Sequence, residues 1–187
     1  SGRLELADWI ISHPLFARVL ANRIWHWHFD KGVVSTPNDF GTRGSPPTHP
    51  QLIELLASQL VANSFKLKPL HRLIMQSQVY QRASGSSPDA NTKDPTNLYL
   101  SHFSSRRLSA EEIRDSLLLV SQQLDKDPGM SHPFPPAVSW TFSQHAPFNA
   151  VYQTNKRSVY MMVQRQRRHP FLALFDGPDP NASTPVR

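Results

Sequence analysis

The chain has no cysteine among its 187 residues. That absence excludes a disulfide scaffold, zinc–thiolate sites, iron–sulfur ligation and the CxxCH attachment of a c-type haem. It leaves the redox compartment open, since a domain of this size folds without disulfides. Glycine is scarce, 7 residues against 17 prolines, so long connections are expected to be stiff and extended. No apolar run reaches the roughly 18 residues that a spanning helix needs, and no membrane span is expected. The GxSxG, P-loop, GxGxxG, SxxK and protein-kinase signatures are all missing, which removes every positive reason to name a reaction. Acidic residues are missing locally: none occurs from Pro128 to Phe175, a stretch that holds Lys156, Arg157, Arg165, Arg167 and Arg168.

Hydrophobic residues make up 39% of the chain and charged residues 18%, enough for a buried core. The formal charge of +6 suits a polyanion. Arg157, Arg165, Arg167 and Arg168, flanked by Tyr160, Phe171 and Phe175, form a candidate site for an anionic polysaccharide, and nucleic acid is a weaker candidate. The same arginines as a solvated face need no ligand, and both readings stand.

The hydrophobic spacing predicts a mainly α fold: an irregular helical domain, residues 3–187, of about five helices. A Pro/aromatic-rich segment, 126–155, is expected to wrap it, with at most a minor β-strand pair. Residues 1–2 read as a tag remnant and the whole as a piece of a larger multidomain protein. Leu4, Ala7, Ile10 and Ile11 share a face of a first helix, which Pro14 ends. Leu15–Phe29 is apolar nearly all round, as a central helix would be, with Gly32 as its stop. Val33–His49 reads as an ordered loop buried through Val33, Val34 and Phe40. Thr48 to Gln51 resembles a capping box, opening a helix to Asn63 with Leu52, Leu55, Leu56, Gln59 and Leu60 inward. Pro69 opens another helix running through Tyr80, and polar Ala83–Asn97 is expected to be a mobile loop. Ser109 and Glu112 form a second capping box, starting a helix to Leu124 with Ile113, Leu117 and Val120 inward. Ser158–Gln164 has the pattern of a short strand, and Pro170–Phe175 that of a helical turn.

Polar residues inside apolar helices must pair. Asn22, Arg23 and His28 on the second helix, Asp39 in the loop, and Arg107, Arg114 and Asp115 near the fifth helix form either a buried ion-pair network or a polar pocket. Arg23 or Arg114 held bidentate by Asp115 or Asp39 is the expected pairing. A catalytic site among His28, Asp39, Arg107 and Asp115 is a third possibility. The nine histidines include no i,i+4 pair. His26 and His28 lie roughly 200° apart on a helix, so no metal site is expected. The Asp176–Asn181 turn offers too few oxygen ligands for calcium. Trp140, Phe142, Phe148 and Tyr152 in the proline-rich segment are candidate docking aromatics.

Several stretches, taken in order, resemble one family. They are Asn22-Arg23-Ile24-Trp25 with His28, Phe29 and Gly32; Thr36 to Gly41; Pro47 to Pro50; Leu70-His71-Arg72-Leu73-Ile74 with Tyr80; Arg106 to Leu108 with Glu111 and Ile113-Arg114-Asp115; and Arg157 to Tyr160, then Phe175 through Asn181. Together they resemble the planctomycete-specific domain of unknown function that accompanies planctomycete cytochrome-c-like domains in large exported proteins. The family pattern continues beyond Asn181 into a further helical segment, and Asp30 stands where members often have glycine. The resemblance implies export to the periplasm or cell surface and haem, if any, in neighbouring domains, with no cofactor in this chain. The resemblance gives context and not mechanism; the residues themselves are read as a non-catalytic structural or docking module whose partners are the neighbouring domains. The resemblance assigns no catalytic residue; a hydrolase-like or redox-associated site remains a further alternative.

Overall fold

The computed structural model describes residues 2–85, 87–129, 153–162, 168–175 and 177. The chain divides into two compact units, residues 1–106 and 107–187. The mainly α expectation is met: six helices are described, and among the described residues there is no sheet, only a single parallel bridge between Asp125 and Lys156.

The first unit carries α1 (Gly2–Ser12), α2 (Pro14–Phe29), α3 (Pro50–Ala62), α4 (Leu67–Met75) and the short α5 (Pro88–Lys93). Pro14 occupies the first turn of α2, where its missing N–H is no loss, and His13 Nδ1 accepts the Leu15 N–H at 3.2 Å. Ala17, Ala21, Trp25 and Phe29 recur every fourth residue and, with Ile24, form the buried stripe of α2. The two alanines leave room for α3, which buries Ile53, Leu56, Ala57 and Leu60. Leu70 and Ile74 of α4 and Val33 of the α2–α3 loop complete this core. Around it lies an aromatic group: Trp25 stacks on Phe29 at 4.2 Å, and Phe29, Tyr80 and Phe103 meet pairwise at 5.4 to 5.9 Å.

Several local expectations are corrected. The α3 stripe is shifted by a residue, so Ile53 and Ala57 point inward and Leu55 outward. The residue at the left-handed end of α2 is Asp30, φ 61°, not Gly32. Thr48 is no cap; its N–H and hydroxyl both donate to the Val33 carbonyl, at 2.9 and 3.2 Å, tying the loop to itself. α4 is shorter than the spacing suggested, because Ser77 turns the chain by donating to the Ile74 carbonyl at 2.6 Å. The 83–97 stretch contains α5, capped by Ser87.

The second unit carries α6 (Ala110–Val120) and two 3₁₀ turns, Ser158–Tyr160 and Leu172–Leu174. Its capping box is formed as expected: Ser109 Oγ accepts the Glu112 N–H at 3.3 Å and Glu112 Oε2 accepts the Ser109 N–H at 2.8 Å. α6 stops at Val120, and Leu117 and Val120 are exposed rather than inward; the inward side chain is Arg114. Ser158–Tyr160 is a 3₁₀ turn and not the start of a strand, because its backbone turns to meet the Asp115 carboxylate. The 126–155 segment lies largely outside the described residues.

Candidate functional site

Asn22, Arg23, His28 and Asp39 belong to the first unit, and Arg107, Arg114 and Asp115 to the second. Asn22 is fully buried. Its carboxamide oxygen accepts the Val34 N–H at 2.8 Å and its NH₂ donates to the Val34 carbonyl at 2.9 Å, the pairing a neighbouring strand would supply. Gly32 is packed on this contact; a Cβ there would stand 2.4 Å from the Val34 oxygen and 2.7 Å from the Asn22 amide nitrogen. Asn22 therefore fastens the loop to α2 and presents nothing to a ligand. Arg23 is exposed and donates to Asn38 Oδ1 at 3.1 Å. Asp39 bonds the Gly41 N–H at 2.9 Å in a local turn.

His28 lies on the side of α2 that faces α4. Its Nε2 is 2.8 Å from Nδ1 of His71, and Tyr80 stands edge-on to its ring at 5.4 Å. Burial, and then the charge of His71, hold the His28 pKa below the ordinary 6.5. His71 enters the sequence reading only as part of a family motif. Its pairing with His28 was not foreseeable from spacing, because the two residues are 43 positions apart.

In the second unit Arg114 is nine-tenths buried. Its guanidinium donates to the Lys156 carbonyl at 3.0 Å, to Ser158 Oγ at 3.2 Å and to the Thr154 carbonyl, and lies 3.6 Å from Asp115 Oδ1. Asp115 in turn accepts the Ser158 N–H at 2.8 Å and its hydroxyl at 2.6 Å. Of the expected arginine–carboxylate pairings, Arg114–Asp115 is present as a close ion pair and not as a bidentate hydrogen bond, because the guanidinium donors are taken by the 154–158 segment. Lys156 closes the same region through an ion pair to Asp125 at 2.6 Å, which with the Asp127 N–H holds the Asp125 carboxyl below its usual range. Ser158, whose pattern suggested a strand residue, is the hub that joins α6 to the 153–161 segment. His169 Nδ1 accepts the Phe171 N–H at 3.2 Å, and burial followed by the Arg114 charge lowers its pKa.

Beside this network lies an open depression of about 760 Å³, lined by Ser109, Glu111, Glu112, Asp115, Ser158 and neighbouring apolar side chains. Asp115 and Glu112 are both engaged in holding backbone. Among the described residues no group of three or more His, Asp or Glu side chains is placed to hold a metal, and no helix is long and apolar enough to cross a membrane. Of the basic candidates, Arg157 is exposed, and Arg168 is half-buried and donates to the Phe175 carbonyl at 3.3 Å. Arg165 and Arg167 lie outside the described residues, as do Trp140, Phe142, Phe148 and Tyr152. Arg107 is exposed.

Among the described residues α1, which the sequence predicts as a helix with one apolar face and not as a site, leaves much apolar surface uncovered. None of its residues is buried, and Leu4, Leu6, Trp9, Ile10 and Ile11 are 69, 55, 62, 42 and 51% exposed. Arg3, Glu5 and Asp8 interrupt these apolar side chains, so α1 presents no single apolar face, yet it leaves five large apolar side chains in water.

Compared with known proteins, residues 2–187 match the family described as PSD1, protein of unknown function (DUF1553). No curated protein and no solved structure matches the chain.

Proposed function

The chain belongs to the PSD1 family of proteins of unknown function, and we propose that it serves as a non-catalytic docking module, with α1 as the element that packs against a neighbouring domain of its parent protein. The observation that carries this reading is the exposure of five large apolar side chains, Leu4, Leu6, Trp9, Ile10 and Ile11, along the one helix α1. Fully burying a Leu, Ile or aromatic side chain contributes about 1.5–3 kcal/mol. Covering the exposed portions of the five side chains therefore offers roughly 5 kcal/mol, enough to hold a domain already tethered in the same chain. The resemblance in the sequence adds the setting: an exported, cytochrome-c-associated protein, periplasmic or at the cell surface, with any haem in the neighbouring domain. The polar clusters support the non-catalytic part, since their hydrogen bonds go to backbone and to one another.

Hydrogen exchange of α1 in this chain and in the longer parent chain tests the proposal. The expected result is strong added protection of residues 4–12 in the longer chain, lost in the double variant Leu6→Ser/Trp9→Ser, which leaves the stability of the isolated piece nearly unchanged. Equal exchange of α1 in both lengths overturns the docking role.

A further inference from the structure

The His28–His71 pair links the last turn of α2 to α4 through a single contact between two ionisable rings. Two neutral imidazoles make one N–H···N bond, with one ring donating and the other accepting. One added proton preserves that bond, because the cationic ring still donates to a neutral one. A second proton leaves both nitrogens as donors and places two positive charges about one hydrogen-bond length apart. We propose that His28 and His71 form a proton-operated clasp between α2 and α4, which closes when the pair carries at most one added proton and opens when it carries two.

The surroundings make the clasp respond as a unit. From α4 the group facing His28 is His71, and from the turns after α4 it is Tyr80, whose ring is edge-on to the imidazole. On its own element, His26 shares the last turn and Asp30 follows it. A helix C-terminus favours a cationic histidine, yet burial outweighs that and holds His28 toward the neutral form. The unfolded chain therefore takes up this proton first as pH falls below 6.5. The stability contributed by neutral His28 is complete above that value and is lost as pH falls from there through the depressed folded value. The consequence reaches further than one bond. Tyr80, which stands against His28, also packs on Phe29 and Phe103, so opening the clasp perturbs one side of the aromatic group while Leu70 and Ile74 keep α4 in the core.

The test is native-state hydrogen exchange of α4, corrected for intrinsic exchange chemistry, between pH 7.5 and 5, together with NMR titration of the ring protons in the same chain. Wild type and His71→Gln are compared, because a glutamine amide can flip to bond either protonation state of His28. The expected result is a clear acceleration of α4 exchange on going from pH 7.5 to pH 5, largely abolished in His71→Gln. His169, the other histidine among the described residues held toward its neutral form, lies in the second unit, so a readout local to α4 excludes it. No acceleration in the wild type, or the same acceleration in His71→Gln, overturns the clasp. If His71→Gln fails to fold, the wild-type titration decides: His28 protonating at or above the ordinary histidine value overturns it, and below supports it.

Discussion

Replacing Asn22 with alanine removes both polar atoms that satisfy the Val34 backbone. The N–H that donates at 2.8 Å and the carbonyl that accepts at 2.9 Å are then left without a partner in a site where Asn22 itself is fully buried. An unpaired buried donor or acceptor costs about 1–3 kcal/mol, so the two together should cost about 3 kcal/mol, a large part of the 5–15 kcal/mol typical of a domain. For a unit of this size that corresponds to a drop in Tm of roughly 12 °C or more. Urea denaturation followed by tryptophan fluorescence, to which buried Trp25 contributes, measures the loss. Asn22→Asp separates the hydrogen-bond argument from simple loss of packing. An ionised carboxylate still accepts from the Val34 N–H but has nothing to donate to the Val34 carbonyl, and burial raises its pKa. Its penalty relative to wild type should therefore shrink as pH is lowered and the protonated form regains a donor. Gly32→Ala, whose Cβ would collide with the same contact, should cost as much as Asn22→Ala. A loss below about 1 kcal/mol for Asn22→Ala, or an Asn22→Asp penalty independent of pH, refutes the reasoning.

Arg114→Met keeps the unbranched apolar stem but strips the donors from the Lys156 and Thr154 carbonyls and from Ser158 Oγ. Breaking a buried charged contact on one side costs about 3–5 kcal/mol, and hydrogen exchange of residues 156–161 should approach that of an unfolded segment; unchanged protection there would show that Asp115 alone holds the turn. Asp30→Gly should stabilise the first unit by about 1 kcal/mol. It relieves a side chain held at φ 61° and removes a carboxylate from a helix C-terminus; a Tm that stays constant or falls refutes this.

Helix identity was legible where a local signal and the tertiary environment agree. Ser109 and Glu112 satisfy each other's backbone within four residues, so the start of α6 follows from sequence. The end of α2 is different. Glycine at position 32 looked like the stop, but its role is to let the loop backbone approach Asn22, and the left-handed turn falls on Asp30. α3 shows the limit of periodicity: Leu55 and Ile53 are equally apolar, and only the position of α2 decides which is inward. The Ser158 region misled because β-branched and aromatic spacing describes a strand only when a partner strand exists, and here Asp115 and Arg114 take the backbone groups instead.

Of the polar residues singled out by the sequence, Asn22 and Arg114 are buried, His28, Asp39 and Asp115 are half-buried, and Arg23 and Arg107 are exposed; the buried ones are committed to the fold. Asn22 has both ends bonded to Val34, and Arg114 and Asp115 both bond the segment that contains Ser158. A ligand using these groups would have to displace backbone contacts worth several kcal/mol before gaining any of its own. That cost argues against a pocket at either cluster more strongly than the absence of a motif does. The two features with uncommitted capacity are of another kind. α1 has apolar surface and little to cover it, and the His28–His71 pair has room for a change in protonation. Neither leaves a mark in the sequence, since exposure depends on what else is folded and a long-range imidazole contact depends on how α4 is placed against α2. Function in this chain is therefore to be sought at the surface of α1 and in the coupling of α2 to α4, where perturbation changes association or opening without first removing what holds the fold together.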